Sequence, residues 1–287
     1  MDYRIKKTFT IARLPKLFVA EKRNKCTPCN TCNQLVLANE SSSLSHENDK
    51  KGVFLRKSNA NDVITFTIEK DGVVLPNLGE VGLFPDDNLT VGFIYDWKQY
   101  LTTYGRGCYI IKCVFNIAGV DGDYTIGIYD LENYSIANAS STVRVWSKFT
   151  SYSLNNEVDF TNSNFEDMIR FKGFFGNRTP ETEISNLINK GRVVEKVTRE
   201  NLNKYELRTD PLNECKTKQL LDFHFLHEDE IYISDHNRTN HSYNYFDKPL
   251  ILVDTPKVDY IDGDRGAKIT AYFGDKVLNQ KSMYNKK

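Results

Sequence analysis

The stretch that decides the fold runs from Tyr205 to Ile233, YELRTDPLNECKTKQLLDFHFLHEDEIYI, and it predicts a strand, a helix and a second strand. Asp210 and Pro211 are typical of a helix start. Asp accepts hydrogen bonds from the free amides of the first turn, and Pro is tolerated at the first helical position. We therefore expect a helix over residues 211–227, the longest in the chain.

This helix has apolar residues on two sides. At helical spacing, one broad side carries Leu212, Cys215, Leu220, Phe223 and Leu226. The opposite side carries Leu221 and Phe225. A helix that is apolar on two sides is normally covered on both. We expect it to pack between a sheet and a second partner, either another domain or another subunit, which makes Leu221 and Phe225 interface candidates.

The composition favours a folded β-rich protein without bulk phosphate binding. Hydrophobic residues make up 40% of the 287, and Tyr and Phe number 16 and 17 against 3 Met, which favours strands over a helical bundle. Lys and Arg together number 38, as do Asp and Glu, so the net charge is zero and no basic surface for nucleic acid is indicated. No secretion signal or membrane-spanning run is visible in the sequence.

Short alternating segments separated by turn residues recur along the chain and predict a mainly β fold with β-sandwich-type domains. A few short helices interrupt the strands, and the second half has some α+β character. The polar stretch from Ser151 to Asn164 is the expected boundary. It divides the chain into a β-sandwich-like domain, residues 1–150, and a β-rich domain, residues 151–287, that contains the 211–227 helix.

Local signals place several elements. Asp71-Gly72 predicts a two-residue hairpin turn after a strand whose buried face holds Ile64, Phe66 and Ile68. Asp96 and Gly105 are typical of the start and end of a helix over residues 97–104. Thr179 and Pro180 suggest a second short helix over residues 181–190, and the polar residues 39–52 suggest a surface loop.

Cys26, Cys29 and Cys32 form the sharpest local cluster. Three thiolates at this spacing could hold zinc, but a closed site needs a fourth ligand, and no second Cys or His pair stands at zinc-finger spacing. The competing interpretation is a tight turn with three small residues. We expect no essential metal here. Six cysteines in a chain of this length do not indicate a disulfide scaffold, and a reducing cytoplasm is expected during synthesis.

Four of the five histidines lie within residues 224–241, close to several carboxylates. His224 and His227 are three residues apart on the predicted helix, which could place both on one side. The spacing is not that of H-E-x-x-H, and no glutamate stands between them. Histidines near the last carbonyls of a helix are ordinary, so we expect no metal site.

No catalytic motif is present. The sequence contains no G-x-S-x-G, no P-loop and no G-x-G-x-x-G, and no carboxylate pair is distinguished enough to name a glycosidase dyad. We expect neither catalytic residues nor a cofactor, and the chain is expected not to be an enzyme.

Five stretches together resemble a known family. They are residues 88–101 (NLTVGFIYDWKQYL), 165–178 (FEDMIRFKGFFGNR), 192–211 (RVVEKVTRENLNKYELRTDP), 215–221 (CKTKQLL) and 236–243 (HNRTNHSY). The chain resembles the β-rich virion structural proteins of crAss-like bacteriophages, which are short-tailed phages, and within them the proteins that stack as rings in the collar and tail.

The resemblance implies a ring-forming component of the neck or tail, between the portal and the tail tip. The implied partners are copies of the chain itself in a closed ring, expected to be dodecameric, and neighbouring portal, ring or tail proteins. Direct membrane binding and sequence-specific nucleic-acid binding are not expected, although the ring lumen leaves a path for DNA. The implied location is the virion, after synthesis in the cytoplasm of the bacterial host.

Two other functions remain open. A receptor-binding or carbohydrate-binding β-sandwich of the tail would use exposed aromatic residues, for which Tyr243, Tyr245 and Phe246 are candidates. They are equally candidates for subunit contacts. A virion-associated hydrolase acting on cell-wall glycan is the third hypothesis, and it lacks a recognisable nucleophile or carboxylate dyad.

Overall fold

The structure is a computed structural model that describes residues 9–10, 42–46, 48–57, 59–81, 83–84, 87–117, 120–133, 142–153, 158–188, 194–226, 229–237, 245–261 and 266–275. Of residues 180–202 it describes the backbone alone. Strands account for 65% of the interpretable residues and helices for 11%, which confirms the mainly β fold.

The first half of the described chain is a series of strands with one α-helix. In order they are β1 (Phe9–Thr10), β2 (Ser42–His46), β3 (Lys50–Lys57), β4 (Val63–Lys70), β5 (Val73–Leu75), β6 (Gly79–Val81), β7 (Thr90–Asp96), α1 (Trp97–Tyr104), β8 (Gly107–Ile117) and β9 (Val120–Glu132).

The second half contains the longest strands and a mixed helix. In order they are β10 (Thr142–Phe149), β11 (Tyr152–Ser153), β12 (Val158–Asp159), β13 (Phe165–Ile188), β14 (Val194–Thr209), β15 (Leu212–Asn213), α2 (Glu214–Lys218), a π-helix (Gln219–Phe225), β16 (Glu230–Asp235), β17 (Lys248–Leu252), β18 (Lys257–Tyr260) and β19 (Gly266–Asp275).

These strands form three main sheets and a small two-stranded one. The first half provides a four-stranded sheet in the order β1-β3-β7-β6 and a five-stranded sheet in the order β2-β9-β8-β4-β5. The second half provides an eight-stranded sheet in which β13, β10, β16, β17 and β19 are successive neighbours. Most pairs are antiparallel, but β2 runs parallel to β9.

Two local predictions in the first half, the hairpin turn at Asp71-Gly72 and the helix over residues 97–104, are confirmed. Ile64, Phe66 and Ile68 are at most 8% exposed, and β4 turns into β5 at Asp71 and Gly72, whose φ angles are 51° and 78°. Two successive positive φ angles are the backbone of the hairpin turn that this dipeptide favours. Asp96 accepts a hydrogen bond from the Lys98 amide at the start of α1, and Gly105 ends the helix with φ 77°.

The first hydrophobic core gathers aromatic rings from both halves of the sequence. The ring centroid of Phe54 on β3 lies 5.2 Å from that of Phe160 and 5.1 Å from that of Phe165. Phe223 of the π-helix stacks on Phe149 with the centroids 4.4 Å apart. Because these four partners lie close to or beyond residue 150, the first core does not end there. The division into domains at that residue stays a prediction.

The second core lies against the eight-stranded sheet and includes the other side of the helical segment. Leu220 and Phe225 are 0% and 3% exposed in this core, and the half-buried Leu221 packs against it. The two-sided prediction therefore holds, with both covers supplied by this chain. The predicted partition of residues was wrong, because in a π-helix hydrogen bonds run from i to i+5, so Leu220 and Phe225 align.

Three local predictions were wrong. The chain forms strand β15 at Leu212–Asn213 and begins its helix at Glu214, so Asp210 does not cap it. Residues 181–188 continue strand β13 rather than forming a helix. Residues 42–46 and 50–57 are strands rather than a loop, and Lys51 is 1% exposed. In each case pairing with another strand overrides the local sequence signal.

Strands β13 and β14 form a hairpin whose outer part continues beyond the residues that pair with the neighbouring strands β10 and β19. They pair from Gly173 and Thr209 to Ile188 and Val194, with register shifts between Gly176 and Thr179 and between Ser185 and Asn186. We call the part beyond the first shift, residues 179–188 and 194–204, the ribbon.

Candidate functional site

A buried polar cluster, which we call the junction, joins β3 and the turn before it to β10 and β13. Asp49, in that turn, receives two hydrogen bonds of 2.8 Å from the Nε and Nη2 atoms of Arg170 on β13. The Nη1 atom of Arg170 donates to the Thr142 hydroxyl at 3.1 Å. Both charged side chains are at most 4% exposed. A fork-to-fork pair of this kind fixes orientation as well as distance.

Arg144 on β10 adds a second cation beside Asp49. Its Nη1 atom lies 3.5 Å from Asp49 Oδ1 and donates to the Asn48 carbonyl oxygen at 3.2 Å. Its Nη2 atom donates to the Ser234 hydroxyl at 3.2 Å and pairs with Asp247. The junction thereby reaches from the first half of the chain to β16 and the segment before β17.

A second ion pair lies deeper in the junction. The ammonium group of Lys51 on β3 pairs with Asp167 on β13, and their side chains are 2% and 0% exposed. Asp167 also accepts hydrogen bonds from the Gly52 amide and from Gln219 Nε2, each at 3.1 Å. These additional donors offset part of the desolvation cost of a buried carboxylate.

Ser147, His224 and Asp167 complete the junction in an arrangement that contains the residue types of a hydrolytic triad. Ser147 Oγ lies 2.9 Å from His224 Nδ1, and His224 Nε2 lies 3.3 Å from Asp167 Oδ2. In a serine hydrolase the serine faces Nε2 and the aspartate faces Nδ1. Here all three residues are 0% exposed and Asp167 already pairs with Lys51, so no substrate can reach the serine.

The surroundings of the junction favour the charged form of Asp49 and the neutral forms of His46 and His236. Burial raises the pKa of Asp49, but Arg170 and Arg144 reverse this and hold it below its usual value. Burial, together with Arg170, lowers the pKa of His46. Burial and the charges of both arginines lower the pKa of His236 to about 4. The junction therefore connects the two halves of the chain through buried ion pairs between them.

The predicted metal ligands fall into two groups. Cys26, Cys29 and Cys32 lie outside the described residues, as do His227 and His241. Among the residues that the structure does describe, no group of three or more His, Cys, Asp or Glu is placed to hold a metal ion. His224 already has Ser147 and Asp167 beside its two ring nitrogens.

Cys113 is a buried free thiol, and Cys108 is disulfide-bonded, which differs from the expectation of reduced cysteines.

The structure separates the five interface candidates. Phe225 and Leu221 pack on the second core of this chain, so the helix face they form is already covered. The ring centroid of Tyr245 lies 5.6 Å from that of Phe175 and 5.5 Å from that of Tyr205, which leaves it half-buried. Phe246 is 53% exposed. Tyr243 lies outside the described residues.

Two surface features of the eight-stranded sheet were not predicted. Trp146 and Tyr232 are cross-strand neighbours with ring centroids 4.8 Å apart, and Lys148 Nζ lies 4.6 Å from the Trp146 ring centroid. An open groove of about 580 Å³ lies at the base of the ribbon. Its lining residues are Asn177, Arg178, Thr179, Lys204, Glu206, Arg208 and Tyr272.

Comparison with known proteins adds no identification: no family model matches the chain, and no curated protein matches it. Among the helices in the described part of the chain, none is long and apolar enough to cross a membrane.

The junction was missed because no local motif marks it. Two of its buried ion pairs join residues 116 and 121 positions apart. The one available signal was the pair of charged residues Glu166 and Asp167 followed by Arg170 inside an apolar strand, where a charge is expected only with a partner.

Proposed function

We propose that this chain is a structural protein of the virion of a short-tailed bacteriophage and forms a ring in its neck or tail, between portal and tail tip. The observation that carries the proposal is the resemblance of five stretches, distributed over residues 88–243, to ring proteins of crAss-like phages. A resemblance so widely distributed argues for a shared role of the chain rather than a borrowed motif.

The structure supports a mechanical rather than a chemical role. A constellation with catalytic residue types in the part of the chain that the structure describes, Ser147, His224 and Asp167, is sealed inside the junction and serves to hold the two halves together. A protein that transmits load between neighbours benefits from halves joined by oriented ion pairs, because such pairs resist both sliding and separation. In a closed ring, the same two surfaces of each subunit meet around the circle.

Solution mass and position in the particle test the proposal together. We expect the purified full-length chain to give one dominant oligomer by light scattering, with a mass that is a fixed multiple of 33.1 kDa, and ring-shaped images by electron microscopy. Purified particles of the encoding phage should contain it at a constant copy number in the neck or tail. Absence from purified particles would overturn the proposal.

A carbohydrate-binding tail protein is the second candidate, and the groove at the ribbon base is the observation that favours it. The groove combines an aromatic ring, Tyr272, with several polar side chains, and Lys204 Nζ lies 4.9 Å from that ring centroid. Sugars bind to such combinations of a flat apolar face and converging polar groups. Binding of host surface glycan that is lost in Tyr272→Ala but kept in Phe246→Ala would support this alternative.

A further inference from the structure

We propose that the groove at the base of the ribbon binds an anionic sugar, that is, a saccharide unit carrying a carboxylate or a phosphate group. This inference deepens the second candidate function, because it names the class of glycan that the groove would take, and it does not depend on ring formation. A β-bulge, an oriented carboxylate and a surplus of cations support it.

The β-bulge in β13 builds one side of the groove. The register shifts between Gly176 and Thr179, so that two residues of β13 stand between paired positions where β14 has one. These two residues, Asn177 and Arg178, are exposed, and Asn177 has a φ angle of 50°. Such a backbone is uncommon outside glycine, and bulges recur beside functional sites because they re-aim side chains. The bulge therefore presents Asn177 and Arg178 at the groove, and both form part of its lining.

Glu206 orients the other polar groups of the groove. Its carboxylate receives hydrogen bonds from Arg208 Nε at 2.7 Å, from Asn177 Nδ2 at 3.0 Å and from the Tyr272 hydroxyl at 3.4 Å. Burial raises the pKa of Glu206, but the hydrogen bonds from Arg208 and Asn177 outweigh this and hold it below its usual value. The ionised carboxylate is thus engaged within the groove, where it fixes the direction of its donors.

Cations outnumber carboxylates along the groove. Among its lining residues, Arg178, Lys204 and Arg208 stand against the single carboxylate of Glu206. Arg208 is paired with Glu206, and Lys204 Nζ lies 2.5 Å from Asp254 Oδ2. Once these two pairs are counted, Arg178 leaves a surplus positive charge among the described side chains. The groove therefore attracts an anion.

The groove offers both donors and an acceptor to a ligand. Within the described part of the chain, the Nη atoms of Arg178 and Arg208 have no hydrogen-bond partner, because each guanidinium uses its Nε atom, on Asn203 and Glu206 respectively. Asn177 Oδ1 has no donor there either. A guanidinium group binds a carboxylate or phosphate through two parallel hydrogen bonds, and an amide oxygen accepts from a hydroxyl group. A sugar with one anionic substituent supplies both kinds of partner.

Size and charge favour a sugar over a nucleic-acid strand. The volume of about 580 Å³ lies within the usual range of small-ligand pockets, roughly 300–1,000 Å³. Nucleic-acid backbones bind to continuous rows of cations, whereas Glu206 and Asp254 interrupt the cations here. The chain also has no net charge that would draw a polyanion to it.

Matched pairs of sugars test the ligand class on the full-length protein. A trisaccharide of galacturonic acid is compared with its methyl ester, and glucose 6-phosphate with glucose, by ligand-observed NMR titration at low salt. In at least one pair we expect the acidic member to bind at least about 10-fold more tightly, because hydrogen bonds to the arginines gain strength from its charge. The pair that responds shows whether a carboxylate or a phosphate is recognised.

Substitutions of the lining residues locate the binding. Arg178→Gln and Arg208→Gln should each weaken binding of the acidic sugar by at least about 10-fold. Both arginines are exposed, so thermal unfolding should be the same as in the wild type. Lys257→Gln removes an exposed cation of β18 outside the groove lining and is the matched control, with unchanged affinity expected.

Glu206→Gln separates an oriented site from diffuse attraction. We expect weaker binding in this variant, because Arg208 loses the carboxylate that orients it. A merely positive surface would bind the anion more tightly once that carboxylate is removed, and tighter binding would overturn the inference.

The remaining outcomes keep this inference apart from the functions proposed above. If acidic and neutral members of both pairs bind equally, the groove takes a neutral glycan, so the second candidate function stands and this inference is wrong. If a DNA oligonucleotide binds more tightly than either acidic sugar and depends on the same arginines, the groove is a nucleic-acid site and the inference is also wrong. If no probe binds, the inference fails, while the solution mass still decides ring formation.

Discussion

The junction and the ribbon both connect β13 to another part of the chain, but buried side chains make the connection in the junction and backbone pairing makes it in the ribbon. In the junction, Asp49 and Asp167 each meet a cation of the same chain, and the pairs are at most 4% exposed. In the ribbon, the register sets Glu183 against Glu200. The comparison teaches that side-chain ion pairs hold together segments 116 and 121 positions apart, whereas backbone pairing alone describes the contact between two strands that are neighbours in the sequence.

The largest expected effect concerns the helix beside the junction. Phe225→Ala should destabilise the monomer by about 3–5 kcal/mol, as truncation of buried phenylalanines does, and adding Leu221→Ala should cost more. Urea unfolding measures the loss. Leu226→Ala, at the end of the same segment and 60% exposed, is the control and should change little. Unchanged stability with weakened self-association would instead place this face in a subunit interface.

The second prediction concerns the loss of an ion pair in the junction. Asp167→Ala leaves Lys51 buried without its carboxylate, which typically costs about 3–5 kcal/mol. The double variant Lys51→Met with Asp167→Leu should recover much of that loss, because a well-packed apolar pair can replace a buried ion pair. Asp259→Ala, which disrupts the exposed pair with Lys257, serves as control. A loss in Asp167→Ala no larger than in that control would contradict an internally balanced junction.

The smallest expected effect is a pH dependence. His236 has a pKa of about 4 in the folded chain against 6.5 as the ordinary value, so the unfolded chain binds more protons between these limits. Stability should therefore fall as the pH drops from about 6.5 to 4. Asp49, whose pKa is lowered, adds a further loss at lower pH.

Unfolding free energies across this range check the sign, and His236→Asn should flatten the upper part of the curve. His46, whose pKa is also lowered, remains in that variant and leaves a residual slope. A wild-type chain whose free energy of unfolding rises as the pH falls from about 6.5 to 4 would contradict the assigned electrostatics.

The sequence predicted what is decided locally. The turn at Asp71-Gly72 and the helix between Asp96 and Gly105 were predicted correctly, because a few adjacent residues determine the backbone there. Within the helix expected over residues 181–190, the described residues 181–188 form a strand, because their pairing with residues 194–202 outweighs the start signal at Thr179 and Pro180. Local signals decide turns and caps, and distant partners decide strands.

The candidate sites were harder to predict than the fold. The sequence drew attention to Leu221 and Phe225 at ordinary helical spacing, and the π-helix moved Leu220 and Phe225 into line instead. Lys51 and Asp167 carried no signal of their mutual contact, since nothing in a single sequence pairs residues so far apart.

The parallel pairing of β2 with β9 has a consequence for how the chain folds during synthesis. Residues 42–46 leave the ribosome well before residues 128–132, with which they pair. Asp167, the partner of the Lys51 ammonium group, is synthesised later still. Until then the early segment lacks both its sheet neighbour and its counter-charge. Such distant contacts slow folding, because loop closure precedes any gain from the contacts. The early strands of the nascent chain therefore complete their contacts only after the segment that contains Asp167 has been synthesised.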